Sequence, residues 1–391
     1  MSFTETRIGD LLTFQRGFDI TKAEQTEGTI PIVSSSGTSS HHNQWKVDGP
    51  GIVIGRKGTL GTAHFLESKF WPHDTTLWIK DFKGNDPKFL YYFLQTLHLE
   101  NFDTGSSNPT LNRNHIHKIR VRFPIALETQ QKIAAILSAY DDLIANNQRR
   151  ITLLERMAED IYREWFVRLR FPGHESVKVE KGIPKDWRFA ELSEMATINS
   201  SSIKKSAQPE RILYIDISAV STNHIDDLAE MALADAPGRA RRLVKHGDVV
   251  WSSVRPANRA FCLVYEPPEN LVASTGFAVI SPKIGIPFTF INFAVTSDSF
   301  VEQMSMVAKG SAYPATSFDD FGKAKILQPS PDLFNRFHAI CEPMFKRRHQ
   351  MRLANSALAK QRDALLPRLI SGKLAVDALD ICFPPGMSPS A

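Results

Sequence analysis

The sequence predicts an α+β fold: two mixed α/β domains separated by two long antiparallel coiled-coil helices, in a pseudo-twofold internal repeat. Two observations predict it. Residues 105–124 and 310–329 keep Gly, Ser, Pro, Lys and Pro in register at an offset of 205 residues. A long helical pattern follows each copy. This period indicates a duplicated domain with its helix, because solenoid units span only about 20 to 45 residues.

The rest of the repeat occurs in the same order in both halves. Residues 8–17, 51–65 and 86–94 align in turn with residues 192–201, 248–261 and 286–294. The repeat predicts five parts: a first globular domain (1–124), a first helical spacer (125–172), a second globular domain (173–329), a second helical spacer (330–376) and a C-terminal tail (377–391).

Within the domains, short apolar runs bounded by turn residues predict strands. Two apolar segments that follow Pro or Asp-Pro predict short helices at 87–97 and 287–297. The predicted strands are 51–55, 75–80, 119–123, 211–217, 248–253, 261–266, 276–281 and 323–328.

The first spacer predicts one helix from Glu128 to about Arg168, a stretch without Pro or Gly. Its apolar residues recur at alternating intervals of four and three, which is a coiled-coil seam. The seam consists of Ile133, Leu137, Tyr140, Ile144, Ile151, Leu154, Ala158, Ile161 and Trp165. Asn147 falls in this seam, and a single buried Asn is expected to fix the register of the helix pair.

The second spacer predicts a helix over 333–370 with a weaker seam. Arg347 and Gln361 interrupt the apolar pattern, and Pro343 predicts a kink. The predicted seam is Leu333, Phe337, Ile340, Met344, Met351, Ala354, Leu358 and Leu365. A helix of about 40 residues is roughly 60 Å long, too long to bury its stripe on one domain. Each helix is therefore expected to pair with the other.

Charge and cysteine content narrow the function classes. The net charge of +5 and the pI near 9.0 favour an anionic partner, although a solvated basic surface explains them equally well. Cys262, Cys341 and Cys382 are scattered without metal-ligand spacing, which favours a reducing cytoplasm. We expect neither a membrane span nor a signal peptide, since no long apolar run and no basic-then-apolar N-terminus occurs.

Motifs for intrinsic catalysis are missing from the sequence. The one Asn-Pro, at Asn108, is followed by Thr110 rather than by the Pro-aromatic pair of adenine methyltransferases. The glycines of 55–61 lack the Gly-Lys-Ser/Thr ending of a phosphate-binding loop. The histidines have no zinc-site context. We therefore expect a non-catalytic chain without a metal site.

Several segments, in this order, resemble the specificity subunits of type I restriction–modification systems, and the resemblance covers nearly the whole chain. The segments are IPIVSSSGTSSHHNQW, GPGIVIGRKGTLGTAHF, FWPHDTTLWIKDFKGNDPKFLYYFL, LLERMAEDIYREWFVRLRFPG, GIPKDWRFAELSEMA and LLPRLISGKL. The resemblance implies two target-recognition domains that each read half of a split double-stranded DNA target. It also implies a role in DNA methylation and host defence.

The resemblance further implies assembly with two adenine methyltransferase subunits and with motor–nuclease restriction subunits. Those partners would use S-adenosylmethionine, ATP and Mg, while this chain would bind no cofactor. Two alternatives stay open. The chain could serve a related bipartite modification enzyme outside type I, or it could be a scaffold that binds only protein.

If the chain reads DNA, loops rich in Arg, Lys, Asn and Ser are the candidates, because these side chains contact base edges and phosphates. The alternative is that such loops are ordinary turns. The candidate loops are 34–44, 55–59 and 104–113 in the first domain and 239–242, 252–259 and 308–317 in the second. The candidate DNA-binding residues are Ser35, Ser36, Arg56, Lys57, Asn108, Arg113, Arg241, Ser253, Arg255, Asn258, Arg259, Lys309 and Tyr313.

Overall fold

A computed structural model describes residues 2–102, 109–203, 210–310 and 313–383. The chain divides into two compact units. The first lies within residues 1–147 and 353–391, and the second is 148–352. Each unit combines one globular domain with parts of both long helices. The five-part division stays a prediction.

The secondary structure alternates short strands with few helices until each long helix begins. In the described residues the α-helices are α1 (Ile8–Leu11), α2 (Pro87–Gln95), α3 (Arg113–Ile116), α4 (Leu127–Tyr162), α5 (Leu192–Met195), α6 (Phe288–Thr296), α7 (Asp298–Val307), α8 (Phe318–Lys323) and α9 (Pro331–Ile370). The strands of the first unit are β1 (Phe3–Arg7), β2 (Thr13–Arg16), β3 (Ile30–Ser34), β4 (Gly37–His42), β5 (Gly51–Gly55), β6 (Ala63–Leu66), β7 (Trp71–Pro72), β8 (Thr76–Asp81) and β9 (Arg120–Pro124).

The second unit has more strands, several of only two residues. They are β10 (Val179–Glu180), β11 (Ile183–Pro184), β12 (Arg188–Glu191), β13 (Ala196–Ile198), β14 (Arg211–Ile215), β15 (Val220–Ser221), β16 (His224–Ile225), β17 (Ala229–Ala232), β18 (Ala240–Leu243), β19 (Val249–Ser252), β20 (Phe261–Leu263), β21 (Leu271–Ser274), β22 (Phe277–Pro282) and β23 (Lys325–Gln328).

The strand order confirms the internal repeat. The first unit has a four-stranded sheet in the order β2-β8-β5-β6, and the second has β13-β22-β19-β20 in the same positions of the repeat. In both units the first strand of the repeat pairs antiparallel with the last, β1 with β9 and β12 with β23. A second sheet completes each unit, β4-β3-β7 in the first and β17-β14-β21-β18 in the second.

The cores join each sheet to the long helices. In the first unit, Phe89 and Phe93 of α2 cluster with Ile133 and Leu137 of α4 and with Leu369 of α9. In the second unit, the ring of Phe166 lies 5.1 Å from that of Phe290 and 5.2 Å from that of Phe337. Aromatic pairs at these centroid distances add to the stabilisation that comes from burying their area.

Both predicted long helices are confirmed. After α4, a π-helical turn over Arg163–Val167 carries the first almost to its predicted end. α9 is continuous through Pro343. Within the first unit, Asp141 contacts Arg362 and Asn147 contacts Asn355. As the residue number increases along α4, the number of its partner on α9 decreases. The two helix segments are therefore antiparallel. The second unit repeats this, because Glu155 contacts Arg348 and Tyr162 contacts Phe337.

The predicted seam of α9 is wrong along its middle. Ile340 is 41% exposed and Ala354 is exposed. The less exposed stripe passes one residue later, through Cys341 and Arg348, which are buried, and Asn355 and Arg362, which are half-buried. Three of these four residues are polar, and each of the three has a polar partner on α4. The apolar pattern therefore could not locate the seam.

The predicted strands are found, but several shorter elements were not predicted. The eight predicted strands correspond to β5, β8, β9, β14, β19, β20, β22 and β23. The predicted loop 34–44 is wrong: it is mostly β4, which pairs with β3 as a hairpin. Its Ser, Thr and His residues gave no apolar signal. The short helices α1, α3, α5, α7 and α8 were also missed. Among the described residues, no helix combines the length and apolar character of a membrane span.

Candidate nucleic-acid interface

In the first unit, backbone hydrogen bonds fix the loop that carries Arg56 and Lys57. The amides of Arg56 and Lys57 donate to the Thr75 carbonyl oxygen at 2.8 and 3.0 Å. The Arg56 carbonyl oxygen accepts from Leu111 N at 3.0 Å, and Lys57 forms a β-bridge with Thr110. Main-chain bonds therefore join the predicted loop 55–59 to Thr110 and Leu111 of the second predicted loop.

The hairpin turn between β3 and β4 packs against the same loop. A Cβ added to Gly58, whose φ is +75°, would lie 3.4 Å from the Ser35 hydroxyl oxygen. A Cβ on Gly55 would lie 1.8 Å from the Thr59 carbonyl oxygen, so only glycine fits there. Ser35 is half-buried and Ser36 exposed. Three short segments thus meet at one surface of the first unit.

The charge at this surface is partly neutralised. Arg16 pairs with Asp74 at 2.8 Å. Burial lowers the pKa of Arg56, and the nearby Arg16 lowers it further. The Arg56 Nη1 atom is buried and has no hydrogen-bond partner. Arg56 is therefore less available for DNA than its loop position suggested, and Lys57 is half-buried.

The second unit has the corresponding loop pair. The Arg255 amide donates to the Pro314 carbonyl oxygen at 2.7 Å, and Val254 forms a β-bridge with Ala315. Ala315 lies 205 residues after Thr110 and makes the equivalent bridge. Lys309 and Ala315, which lie on either side of Tyr313 in the sequence, exchange two backbone hydrogen bonds of 2.9 Å.

The turn from Arg255 to Arg259 has an unusual backbone. Arg255 and Arg259 have φ of 50° and 54°, and Pro256–Asn258 form one 3₁₀ turn between them. Left-handed conformations of residues other than glycine persist only where the surroundings hold them, and they are common at functional sites. The turn holds Asn258 exposed.

The side chains of the two arginines have different partners. The Arg255 guanidinium carbon lies 4.6 Å from the centroid of the Tyr313 ring, a cation–π geometry. Arg259 forms an ion pair with Asp298. Arg255, Lys309 and Tyr313 are exposed, Tyr313 by 70%. This surface can offer cationic donors and an aromatic face to an anionic, base-bearing ligand.

Comparison with known proteins gives matches to one class of protein. A family model for the type I restriction modification DNA specificity domain matches residues 2–156. The chain is 25% identical over 316 residues to the type I restriction enzyme MjaIX specificity subunit of Methanocaldococcus jannaschii, covering 75% of this chain and 70% of that one. Residues 2–156 thus match the type I restriction modification DNA specificity domain, and most of the chain is similar to a type I specificity subunit.

Further relatives extend the comparison. The HindI specificity subunit of Haemophilus influenzae is 25% identical over 162 residues, 41% of this chain and 35% of that subunit. The crystal structure of the type I restriction–modification S subunit from M. genitalium has the same fold, with a TM-score of 0.64 at 18% identity, covering 94% of this chain and 96% of that one. The MjaIX and HindI relatives are named as specificity subunits, the class of protein that the sequence resembles.

The structure corrects some of the predicted DNA contacts. Ser253 is 8% exposed and its hydroxyl donates to the Gly276 carbonyl oxygen at 2.8 Å, so it is structural. Arg241 lies half-buried in β18, where its Nη1 donates to the Ala240 carbonyl oxygen at 3.0 Å. Arg113 is exposed at the start of α3. Asn108 lies outside the described residues.

Other residues at these surfaces were not predicted. Thr75 holds the first loop through its carbonyl oxygen, and Asp298 holds the Arg259 side chain. Each of the two lies far along the sequence from the residue it contacts, and neither belongs to a recognisable motif. Among the described residues, one group could hold a metal: ligand atoms of Asp19, His73 and Asp74 lie within 4.8 Å of one another. Arg16 already neutralises Asp74 in that group.

Asn147 was predicted to set the helix register. In the first unit its Nδ2 donates to the Asn355 Oδ1 at 2.9 Å, and the Asn355 Nδ2 donates to the Ile144 carbonyl oxygen at 3.3 Å. The two amides therefore lie opposite each other in the seam. Their role in selecting the register stays a prediction.

Proposed function

We propose that this subunit reads a bipartite double-stranded DNA target, one half through each loop pair. One observation carries the proposal. Both units fasten a loop after a buried strand to a second loop by main-chain bonds, at the same point of the repeat. The shared frame carries different side chains, Lys57 in the first unit and Arg255 with Tyr313 in the second. Two equivalent loop pairs that carry different side chains could read two half-sites that differ in sequence.

The proposal includes the partners and cofactors of the complex. The subunit would act in the cytoplasm with two adenine methyltransferase subunits and with motor–nuclease restriction subunits. Those partners would use S-adenosylmethionine, ATP and Mg. The subunit would supply position and sequence choice without taking part in the chemistry. Of the predicted contacts, Arg255, Asn258, Lys309 and Tyr313 are the best candidates by exposure and position, and Lys57 by its position alone.

Two experiments test this function. Modified-base sequencing of a strain that expresses the complete system should give a target with two specified segments around an unspecified one. One contiguous segment would contradict the bipartite proposal.

The second experiment measures binding of the assembled methyltransferase complex to duplex DNA against salt concentration. Phosphate contacts make the logarithm of the binding constant fall linearly with the logarithm of salt concentration. Lys57→Ala and Lys309→Ala should weaken binding, with a shallower slope where the lysine contacts phosphate. Lys185→Ala changes an exposed lysine outside both interfaces and should have no effect. A pure protein scaffold would show no salt-dependent binding in any variant.

A further inference from the structure

The turn from Arg255 to Arg259 is closed by its own backbone. The Asn258 amide donates to the Arg255 carbonyl oxygen at 2.9 Å, and the Arg259 amide donates to the Pro256 carbonyl oxygen at 3.0 Å. Pro256 is buried, whereas Ala257 and Asn258 are exposed. One residue therefore anchors the turn in the second unit, and the next two face the solvent.

The far end of the turn is held by three neighbours. The Arg259 carbonyl oxygen accepts from the Thr222 hydroxyl at 3.0 Å and from the Phe261 amide at 3.1 Å. The Arg259 side chain pairs with Asp298. The Asn223 amide donates to the Phe261 carbonyl oxygen at 2.8 Å, so the hairpin turn that carries Thr222 is itself attached to β20. Both the main chain and the side chain of Arg259 are thus fixed.

The side chain of Asn258 is not used by the fold. Among the described residues its carboxamide has no hydrogen-bond partner, and it is exposed. The residues at the two ends of the turn, Arg255 and Arg259, have φ of 50° and 54°. Left-handed backbone in residues other than glycine costs free energy and is concentrated at functional sites. The turn therefore spends stability on presenting a polar side chain that stabilises nothing within the chain.

The chemistry of a carboxamide selects one base. Its oxygen accepts and its nitrogen donates in one plane. On the major-groove edge, adenine offers the N6 donor beside the N7 acceptor, so both groups of an asparagine find a partner. Guanine offers two acceptors there, cytosine one donor and thymine one acceptor, so each satisfies only part of the carboxamide.

We infer that Asn258 reads an adenine in the half-site of the second domain, through N6 and N7, and that Thr222 is a positioning residue that holds the turn for this contact. This inference rests on the proposed function. It names the base, the reading atoms and the residue that fixes the backbone beside them.

The test uses the assembled methyltransferase complex and duplexes that contain the target found by modified-base sequencing. Each A·T pair of the target is replaced in turn by G·C, and each adenine by 7-deazaadenine, which lacks the N7 acceptor. At one pair, the change to G·C should weaken wild-type binding by about 5- to 150-fold, the range for one bidentate contact. The 7-deazaadenine replacement there should weaken it by a smaller factor.

The asparagine variant locates the contact. Asn258→Ala should bind the original duplex more weakly, and both replacements at that pair should then have no further effect. Its response at every other pair should match the wild type. Because Asn258 is uncharged, the salt dependence of binding should also stay unchanged. The matched control is Asn335→Ala, which removes an exposed asparagine of α9 in the same unit and should alter none of these values.

The threonine variants separate positioning from bulk. Thr222→Val removes the hydroxyl that donates to Arg259 and keeps the branched shape. It should lose much of the discrimination at the Asn258 pair and none elsewhere. Thr222→Ser keeps the hydroxyl and should retain the discrimination. A general loss of stability would weaken binding to all duplexes equally, so the ratio between duplexes reports on the contact alone.

Several results would overturn the inference. Full discrimination by Asn258→Ala at every adenine would show that Asn258 reads no adenine. Uniform weakening over all duplexes would make it a contact to the DNA backbone. Equal discrimination by Thr222→Val and the wild type would remove the positioning role. A wild-type complex with no preference for its own target would instead refute the proposed function.

Discussion

Glu155 neutralises two arginines of the second long helix, and its removal should destabilise the second unit strongly. Its Oε1 lies 3.2 Å from Arg348 Nη1 and 3.0 Å from Arg352 Nη2. The Arg348 side chain is only 7% exposed. Burial lowers the pKa of Arg348, Arg352 lowers it further, and Glu155 acts in the opposite direction. Glu155→Ala would leave a buried cation beside a second one.

Removing one partner of a buried ion pair costs about 3–5 kcal/mol in free energy of unfolding. Because the Glu155 side chain is 29% exposed, we expect the lower end, about 3 kcal/mol. For a unit of this size, 1 kcal/mol shifts Tm by about 2–4 °C. The expected fall in Tm is therefore about 6–12 °C.

The matched control is Glu159→Ala, one turn further along α4. Glu159 pairs with Arg163 at 2.7 Å, but these side chains are 47% and 52% exposed. Such a surface pair contributes about 0.5 kcal/mol or less, and both variants change helix propensity equally. The two free energies of unfolding are compared by urea unfolding, with hydrogen exchange of peptides from residues 148–352 as the probe that reports on the second unit. If the two variants unfold within about 0.5 kcal/mol of each other, the buried-charge argument is wrong.

Three further predictions concern the first unit. Asn355→Ala removes the 2.9 Å hydrogen bond from Asn147 and should lower the free energy of unfolding, measured with urea, by about 1 kcal/mol. An unchanged free energy of unfolding would show that this pair of amides does not contribute to stability. His117 Nε2 accepts from Phe14 N at 3.0 Å, and burial lowers its pKa. Because the unfolded state then binds the proton more tightly, stability should fall as pH drops below about 6.5, and less so in His117→Gln. Gly55→Ala should weaken DNA binding by the complex, with no charge removed, because its Cβ would strike the loop that carries Lys57; unchanged affinity would show that the loop shape is unimportant.

The repeat and the long helices were predictable because their signals are local and periodic. The offset of 205 residues aligned Thr110 with Ala315, and the structure gives both the same bridge. The seam of α4 was located correctly, since Ile133, Leu137 and Ile151 are buried. Apolar spacing is a direct consequence of helix geometry and does not depend on distant contacts.

The middle of α9 shows where that method fails. Apolar periodicity assumes that a seam is apolar, but this seam contains Arg348, Asn355 and Arg362 at seven-residue intervals. Each side chain is tolerated there because a residue on α4, nearly two hundred positions or more away in sequence, supplies its partner. Charge pairing across an antiparallel interface leaves no local signal, so the sequence placed the stripe one residue too early.

The candidate interface has the same dependence on distant partners. Ser253 and Arg255 share a loop rich in small and basic residues, and both were predicted to contact DNA. The structure separates them, because Gly276 takes the hydroxyl of Ser253 while Tyr313 stacks on the exposed Arg255. Composition identifies which loops could meet DNA. Which side chains face outwards depends on bonds to segments that lie some twenty to sixty residues away along the chain. Base-reading residues in this fold should therefore be sought among exposed side chains on a fixed backbone, rather than by loop composition.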